Sequence, residues 1–289
     1  VGGAVIDLHT HTTASDGTDT PAGLVERAAR LGLEALAITD HDTLSGSDEA
    51  VTLAGSRGLQ LVRGLELSTR RTDEADPASR SVHILGYFFG EPAAEFRTWL
   101  ESLRAKRRAR NEAMAAKLRS MGMDVTVDEA EAVGRNITGR PHFARVLRDK
   151  GYVKSYEQAF KELLGERCPA YVEREDPTPA EGIRRIREAG GIASLAHARR
   201  MNAGDGEDAA IRKMVDAGLG AIEVWHPDHD GRRRDRYRRV AEKHGLAITG
   251  GSDFHGEMKP DILLGRGIEP GHRVPLGVLD DLRRRAERG

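Results

Sequence analysis

Histidines and carboxylates gather in three short clusters of the 289-residue sequence: Asp7-Leu8-His9-Thr10-His11 with Ser15-Asp16-Gly17, Thr39-Asp40-His41-Asp42, and Gly250-Gly251-Ser252-Asp253-Phe254-His255. Each follows the end of an apolar run. In extended backbone, residues two apart project from one face, so His9 and His11 form a natural chelate, and Asp253 and His255 a second one. Imidazole and carboxylate together suit divalent cations. Single donors mark three further apolar runs: Glu66 in Gly64-Leu65-Glu66-Leu67, His83 in Ser81-Val82-His83-Ile84, and His197 in Ser194-Leu195-Ala196-His197. An ionised glutamate within an apolar strand is expensive unless it meets a cation. Any one of these histidines alone reads as a hydrogen-bonded core or loop residue. Packing gives no reason for six of the eleven histidines, two aspartates and a glutamate to recur at the same ends of successive strands. The chemistry they suggest is a cluster of divalent metals that activates water.

The elements needed to position them are legible in the apolar periodicity. Strands are expected at Ala4–Leu8, Leu33–Thr39, Leu59–Leu67, Ser81–Phe88, Ile192–Ala196, Ala221–Trp225 and Ala247–Thr249. Helices are expected at Pro21–Leu31, Ser45–Arg57, Pro179–Ala189, Asp208–Ala217 and Arg232–His244, and Arg70–Arg80 reads as an exposed hairpin loop. This alternation predicts an α/β fold with a mostly parallel sheet, and about seven strands favour barrel closure, with the donors on its C-terminal rim. Strand signals vanish between Glu95 and Arg167, where helices are expected at Glu95–Met121, Val127–Val133, Pro141–Lys150 and Ser155–Leu164. The expected division is therefore a barrel from 1–94 and 168–289 with a helical cap inserted at 95–167. The insertion carries 16 Lys and Arg against 11 Asp and Glu in a chain of net charge −1. That surplus suggests an anionic substrate clamped between insertion and barrel, although long surface helices often carry such charge.

Composition narrows the function classes. With 38% apolar and 31% charged residues the chain is a globular one. No run approaches the ~20 apolar residues of a membrane span. The near-zero net charge gives no global argument for nucleic acid, and no DNA-binding motif is visible. The single cysteine, Cys168, excludes a disulfide framework and a thiolate-rich zinc site, and reads as structural. No signal peptide is expected ahead of the first strand, so the expected location is cytoplasmic. His226, in Trp225-His226-Pro227-Asp228-His229, is placed to touch a substrate phosphate or to orient a ligand, and Asp40 and Asp42 flank His41 as orienting candidates.

The motifs His9-Thr-His11, Asp16-Gly17, Thr39-Asp40-His41, Glu66, His83, His197 and Ser252-Asp253-Phe254-His255 resemble, in order, those of the PHP (polymerase and histidinol phosphatase) superfamily, specifically its small-molecule phosphoesterase branch. The resemblance implies a distorted (β/α)7 TIM-like barrel with two to three divalent ions at its rim. Carried over by residue, the first metal takes His9, His11, Glu66 and Asp253. The second shares Glu66 and adds His83 and His197, and the third takes Asp16, His41 and His255. Aspartate at position 16, where some members have histidine, tilts the site towards Mn²⁺, with Zn²⁺ or Fe²⁺ as alternatives. Water activated between the first two metals would be the nucleophile, so no catalytic side chain is assigned.

The insertion is similar to the cap of the family's nucleoside 3′,5′-bisphosphate phosphatases and of enzymes acting on RNA 5′ ends, through Arg104–Asn111 and Asn136-Ile137-Thr138-Gly139-Arg140-Pro141-His142. It implies that Arg107, Arg110, Asn111, Thr138, Arg140 and His142 contact substrate, together with His226. The expected reaction is removal of the 3′-phosphate from a small nucleotide bisphosphate such as pAp. The alternative is a 5′→3′ exoribonuclease on short 5′-phosphorylated RNA; the 4% aromatic content mildly disfavours long single strands. A metal-dependent amidohydrolase and a non-catalytic metal-binding module are the readings from other classes. The first is weakened by the lack of a lysine at a barrel strand end, and the second by a complete donor set.

Overall fold

The computed structural model describes residues 5–72, 81–134, 137–267 and 273–287. The chain divides into two compact units, Val1–Thr98 with Pro177–Gly289, and Trp99–Asp176. In the first unit the strands are β1 (Val5–Asp7), β2 (Ala35–Ile38), β3 (Gln60–Arg70), β4 (Ser81–Phe88), β5 (Ile192–Leu195), β6 (Ala221–Trp225), β7 (Ala247–Gly250) and β8 (Val274–Pro275). They form one sheet in the order β7-β6-β5-β4-β3-β2-β1-β8. Beyond β1, Leu8 N–H donates to Gly250 O at 3.2 Å, and Thr10 pairs in parallel with Phe254. These contacts curl the sheet into a nearly closed barrel and lock the first cluster of donors to the last.

The α/β barrel expected from periodicity is therefore present, with one reversal. β4 runs antiparallel to both β3 and β5, whereas the β1–β2–β3 and β5–β6–β7 pairs are parallel. Parallel neighbours need a crossover of about a dozen residues or more, and only ten residues, 71–80, separate β3 from β4. The reversal also brings the start of β4 to the rim where its neighbours end, so Ser68 of β3 lies opposite His83. β3 extends three residues past its expected end, and most of the expected 70–80 loop, residues 73–80, lies outside the described residues. β8 and a last helix, Gly277–Ala286, complete the unit without having been foreseen.

The outer helices of this unit are α1 (Pro21–Arg30), α2 (Ser45–Ser56), α7 (Pro179–Glu188), α8 (Glu207–Asp216), α9 (Gly231–His244) and α10 (Gly277–Ala286). α1 and α7 start alike: a threonine caps the end and proline takes the first turn. Thr20 accepts from Gly23 N–H at 3.0 Å and Thr178 from Glu181 N–H at 3.2 Å. α1 buries Leu24, Val25 and Ala28 against Leu36 and Ile38 of β2, whereas Leu31, which the helical spacing places on the same face, is 52% exposed at its end. Inside the barrel Ile6, Leu8, Ala37, Leu85 and Tyr87 pack together, and the Tyr87 hydroxyl donates to Leu8 O at 2.9 Å.

The second unit holds most of α3 (Ala94–Ser120), then α4 (Val127–Gly134), α5 (Arg140–Asp149) and α6 (Tyr156–Ala159), which passes into a wider π-turn at Phe160–Leu164. It has its own core, including Met114, Leu118, Phe143, Leu147 and Leu164.

Candidate metal centre

Strand ends aim the predicted donors at one point. His9 and His11 continue β1 and are fully buried, and Glu66 of β3 is 1% exposed. One Glu66 oxygen, Oε1, lies 2.8 Å from His83 Nδ1 and 2.7 Å from His197 Nε2. The other, Oε2, lies 3.1 Å from His11 Nε2 and 3.4 Å from both His9 Nε2 and His41 Nδ1. Asp253 Oδ1 stands 3.5 Å from the Nε2 atoms of His9 and His11. To one side, Asp16 meets His255 Nε2 at 3.4 Å, His11 Nδ1 at 3.5 Å and His41 Nε2 at 3.8 Å. All nine donors singled out in the sequence thus meet around Glu66, Asp253 and Asp16.

Among the described residues, three groupings drawn from the predicted donors have donor atoms within 4.8 Å of one another: His9, His11, Glu66 and Asp253; His41, Glu66 and His83; and His11, Asp16, His41 and His255; a fourth joins His9 with Glu223 and His226. The first coincides with the set expected from the family resemblance. The second and third place His41 beside Glu66 and His83, and His11 beside Asp16. Four ring nitrogens here are buried with no hydrogen-bond partner: His9 Nε2, His11 Nε2, His41 Nδ1 and His226 Nε2. Orphaned buried nitrogens are costly and rare. Donors about 2.1 Å from a shared ion would sit roughly 3–3.5 Å apart, as these do. The residues therefore fit divalent metal.

Electrostatics agrees. Burial alone would raise the Glu66 carboxyl, but His41, His83 and His9 hold it well below its ordinary range, so it is charged. Burial opposes protonation of His11, yet Asp253, Glu66 and Asp16 outweigh it and push it up to about 9. Burial instead wins at His41, down to about 4, and at His197, down to about 3, leaving both neutral and able to ligate. The backbone is bent to the same end. Asp42, His197 and Asp253 all have positive φ, at 53°, 23° and 56°. Non-glycine residues held this way cluster at functional sites. His197 is fixed by its N–H donating to Glu223 Oε2 at 2.7 Å, and Asp253 by its N–H donating to His9 O at 2.9 Å. Gly251 lies so close to the first cluster that an added Cβ would stand 2.3 Å from His9 N.

Around the donors sits a layer of supports. Glu223 on β6 is fully buried, and its Oε1 lies 3.0 Å from His9 Nδ1, leaving Nε2 to face Glu66. Its signal, a charge in Ala221-Ile222-Glu223-Val224-Trp225, is the one that singled out Glu66, yet sequence reasoning passed over it. Arg200 and Lys259, both on Asp253, were also missed, because nothing local marks them. Asp40 accepts from Thr12 N–H, Thr12 Oγ1 and Ser15 Oγ within 2.7 Å, bracing the loop between His11 and Asp16. His226 is fully buried, with its Nδ1 accepting from Asp228 N–H at 3.0 Å and its Nε2 3.5 Å from Asp253 Oδ2.

The residues expected to touch substrate in the second unit divide. Arg107, Asn111 and Thr138 line one groove of about 330 Å³, together with Arg104, Arg108 and Glu101. Buried Asn111 holds that wall, donating to Thr138 O at 2.8 Å. Arg110 turns away, its Nε donating to Val172 O at 3.1 Å. Arg140 lies over the rings of Phe160 and Tyr171, and His142 Nδ1 accepts from Gly139 N–H at 3.1 Å at the start of α5. Asn136 lies outside the described residues.

The PHP domain model matches residues 7–166. A phosphoribosyl 1,2-cyclic phosphate 1,2-diphosphodiesterase of Eggerthella lenta is 34% identical, covering 93% of this chain and 98% of its own. A 5′-3′ exoribonuclease of Haemophilus influenzae is 35% identical over 86% and 89%, and a 3′,5′-nucleoside bisphosphate phosphatase of Chromobacterium violaceum 34% identical over 87% of each. The solved structure of a putative metal-dependent phosphoesterase from Bifidobacterium adolescentis superposes with a TM-score of 0.77 at 32% identity, covering 98% and 97%. Family match, full-length relatives and a shared fold agree: the chain belongs to the PHP domain family.

Proposed function

We propose that this metal-dependent phosphoesterase removes the 3′-phosphate from small nucleoside 3′,5′-bisphosphates such as pAp. The observation that carries hydrolysis at this rim is the convergence of five imidazoles on the Glu66 carboxylate, with buried ring nitrogens left unpartnered. His9, His11, Glu66 and Asp253 would hold one ion, Glu66 with His83 and His197 a second, and Asp16, His41 and His255 a third. Manganese is favoured by the mixed nitrogen and oxygen donors. When bound, such ions supply water activation and charge neutralisation on the phosphoryl group.

The chain's own residues do the positioning. Glu223 fixes the His9 ring so that Nε2 points inward, and burial of His9 and His11 keeps bulk water from competing for their nitrogens. Asp228 N–H donates to His226 Nδ1 and so turns that ring with Nε2 towards Asp253 Oδ2. No side-chain nucleophile is needed; the thiol of Cys168 lies against the carbonyls of Phe160 and Lys161.

A substrate with two phosphates is supported by the positive surplus of the insertion and by the gathering of Arg104, Arg107 and Arg108 on one groove. That row of cations also favours a second reading, a 5′→3′ exoribonuclease on short RNA, since it exceeds what one terminal phosphate requires. Phosphate release from pAp, set against nucleotide release from 5′-phosphorylated RNA oligomers with manganese-loaded protein, separates the two. Turnover of pAp is expected from the intact chain and none from His9→Ala or Asp253→Ala with the fold retained. Near-normal activity in both variants would overturn the assignment.

A further inference from the structure

Asp253 divides its two oxygens between different tasks. Oδ1 faces His9, His11 and His255, each at 3.5 Å. Oδ2 faces away from them and receives two cations, Lys259 Nζ at 2.7 Å and Arg200 Nη2 at 3.1 Å. Arg200 is also held by Asp228 Oδ2 at 2.7 Å, so its charge has a second partner. For Lys259, Asp253 is the one carboxylate partner among the described residues. If the Asp253 charge is committed to an ion on Oδ1, Lys259 becomes a surplus positive charge at the edge of the site. The Lys259 side chain is one-third exposed, whereas that of Asp253 is 4% exposed.

The segment carrying the lysine is anchored, so only the side chain is free to move. Gly256 turns the chain with φ of +66°, Glu257 N–H donates to Thr18 Oγ1 at 2.9 Å, and Lys259 N–H closes the turn on Gly256 O at 3.1 Å. An ammonium on a flexible stem meets phosphate oxygens as a point charge from many directions, which a forked guanidinium pinned by two carboxylates does less readily. We propose that Lys259 is a phosphate-binding residue: it rests on Asp253 Oδ2 and moves to a non-bridging oxygen of the phosphate being hydrolysed. This inference rests on the phosphoesterase reading of the same rim.

Lys259→Met and Lys259→Arg test it in the metal-loaded enzyme, with metal content, affinity for inorganic phosphate by calorimetry, and KM and kcat for pAp measured together. Lys259→Met should keep the wild-type metal content while binding phosphate about tenfold more weakly and raising KM, and Lys259→Arg should recover most of the loss. Wild-type phosphate affinity in Lys259→Met overturns the proposal. So does loss of metal from that variant, because the lysine would then serve Asp253 alone. A wild-type protein that releases phosphate from no ester removes the phosphoesterase reading itself. An active wild type with an unaffected methionine variant removes only the lysine.

Discussion

At the scale of single residues, Glu66 and Glu223 show why identical side chains have different work. Both are buried glutamates in apolar strands, but Glu66 meets five ring nitrogens, whereas Glu223 holds one ring and one backbone N–H. Glu223→Gln should therefore leave the fold intact and weaken metal binding by about 10–100-fold, the usual effect of losing a residue that orients a ligand. A metal titration checks it. Protons and metal also compete for the same atoms. His11 is pushed up to about 9 and His9 is raised as well, so metal uptake near neutral pH must displace protons. Apparent affinity should rise with pH from 6.5 to about 9 and then level off. Manganese added to metal-free protein in weak buffer should release acid; a pH-independent affinity would contradict the protonation described for these rings. The donors were legible because an ionisable residue at an apolar strand end violates the ordinary pattern. Lys259 and Arg200 were not, since a surface lysine or arginine looks the same in sequence whether or not it reaches a buried carboxylate.

At the scale of elements, the strands and outer helices followed from periodicity and from Thr-Pro starts such as Thr178-Pro179. Thr178→Ala should lower stability by about 1 kcal/mol through loss of the cap, with metal content unchanged. Thermal unfolding and metal analysis together separate this from damage to the rim. Gly251→Ala is expected to do the opposite kind of harm. Its Cβ would press on His9 N and Cβ, at a cost of about 1–3 kcal/mol, and should reduce bound metal as well. The direction of β4 was beyond sequence reasoning, because alternation of apolar residues is blind to whether a strand runs up or down. That is why His83, near the start of its strand, reaches the same rim as residues at the ends of theirs. β8 has two residues and no periodicity to detect.

At the scale of the whole chain, the surplus charge of the insertion was plain in composition, but how it is spent was not. Arg108 is tied to Glu112, Asp128 and Glu131, and Arg110 is folded against backbone, so part of the surplus is neutralised within the second unit. Three relatives of nearly equal similarity act on three different esters by name, so overall resemblance does not choose the substrate. The pairing of the first cluster with the last, Leu8 on Gly250 and His9 on Asp253, carries a consequence for biosynthesis. While the polypeptide is still leaving the ribosome, His9 and His11 are available, yet their partners at Asp253 and His255 each lie 244 residues further along. A stalled nascent chain ending before Ala247 should therefore hold metal far more weakly than the released protein, leaving loading with the correct ion to the moments after synthesis.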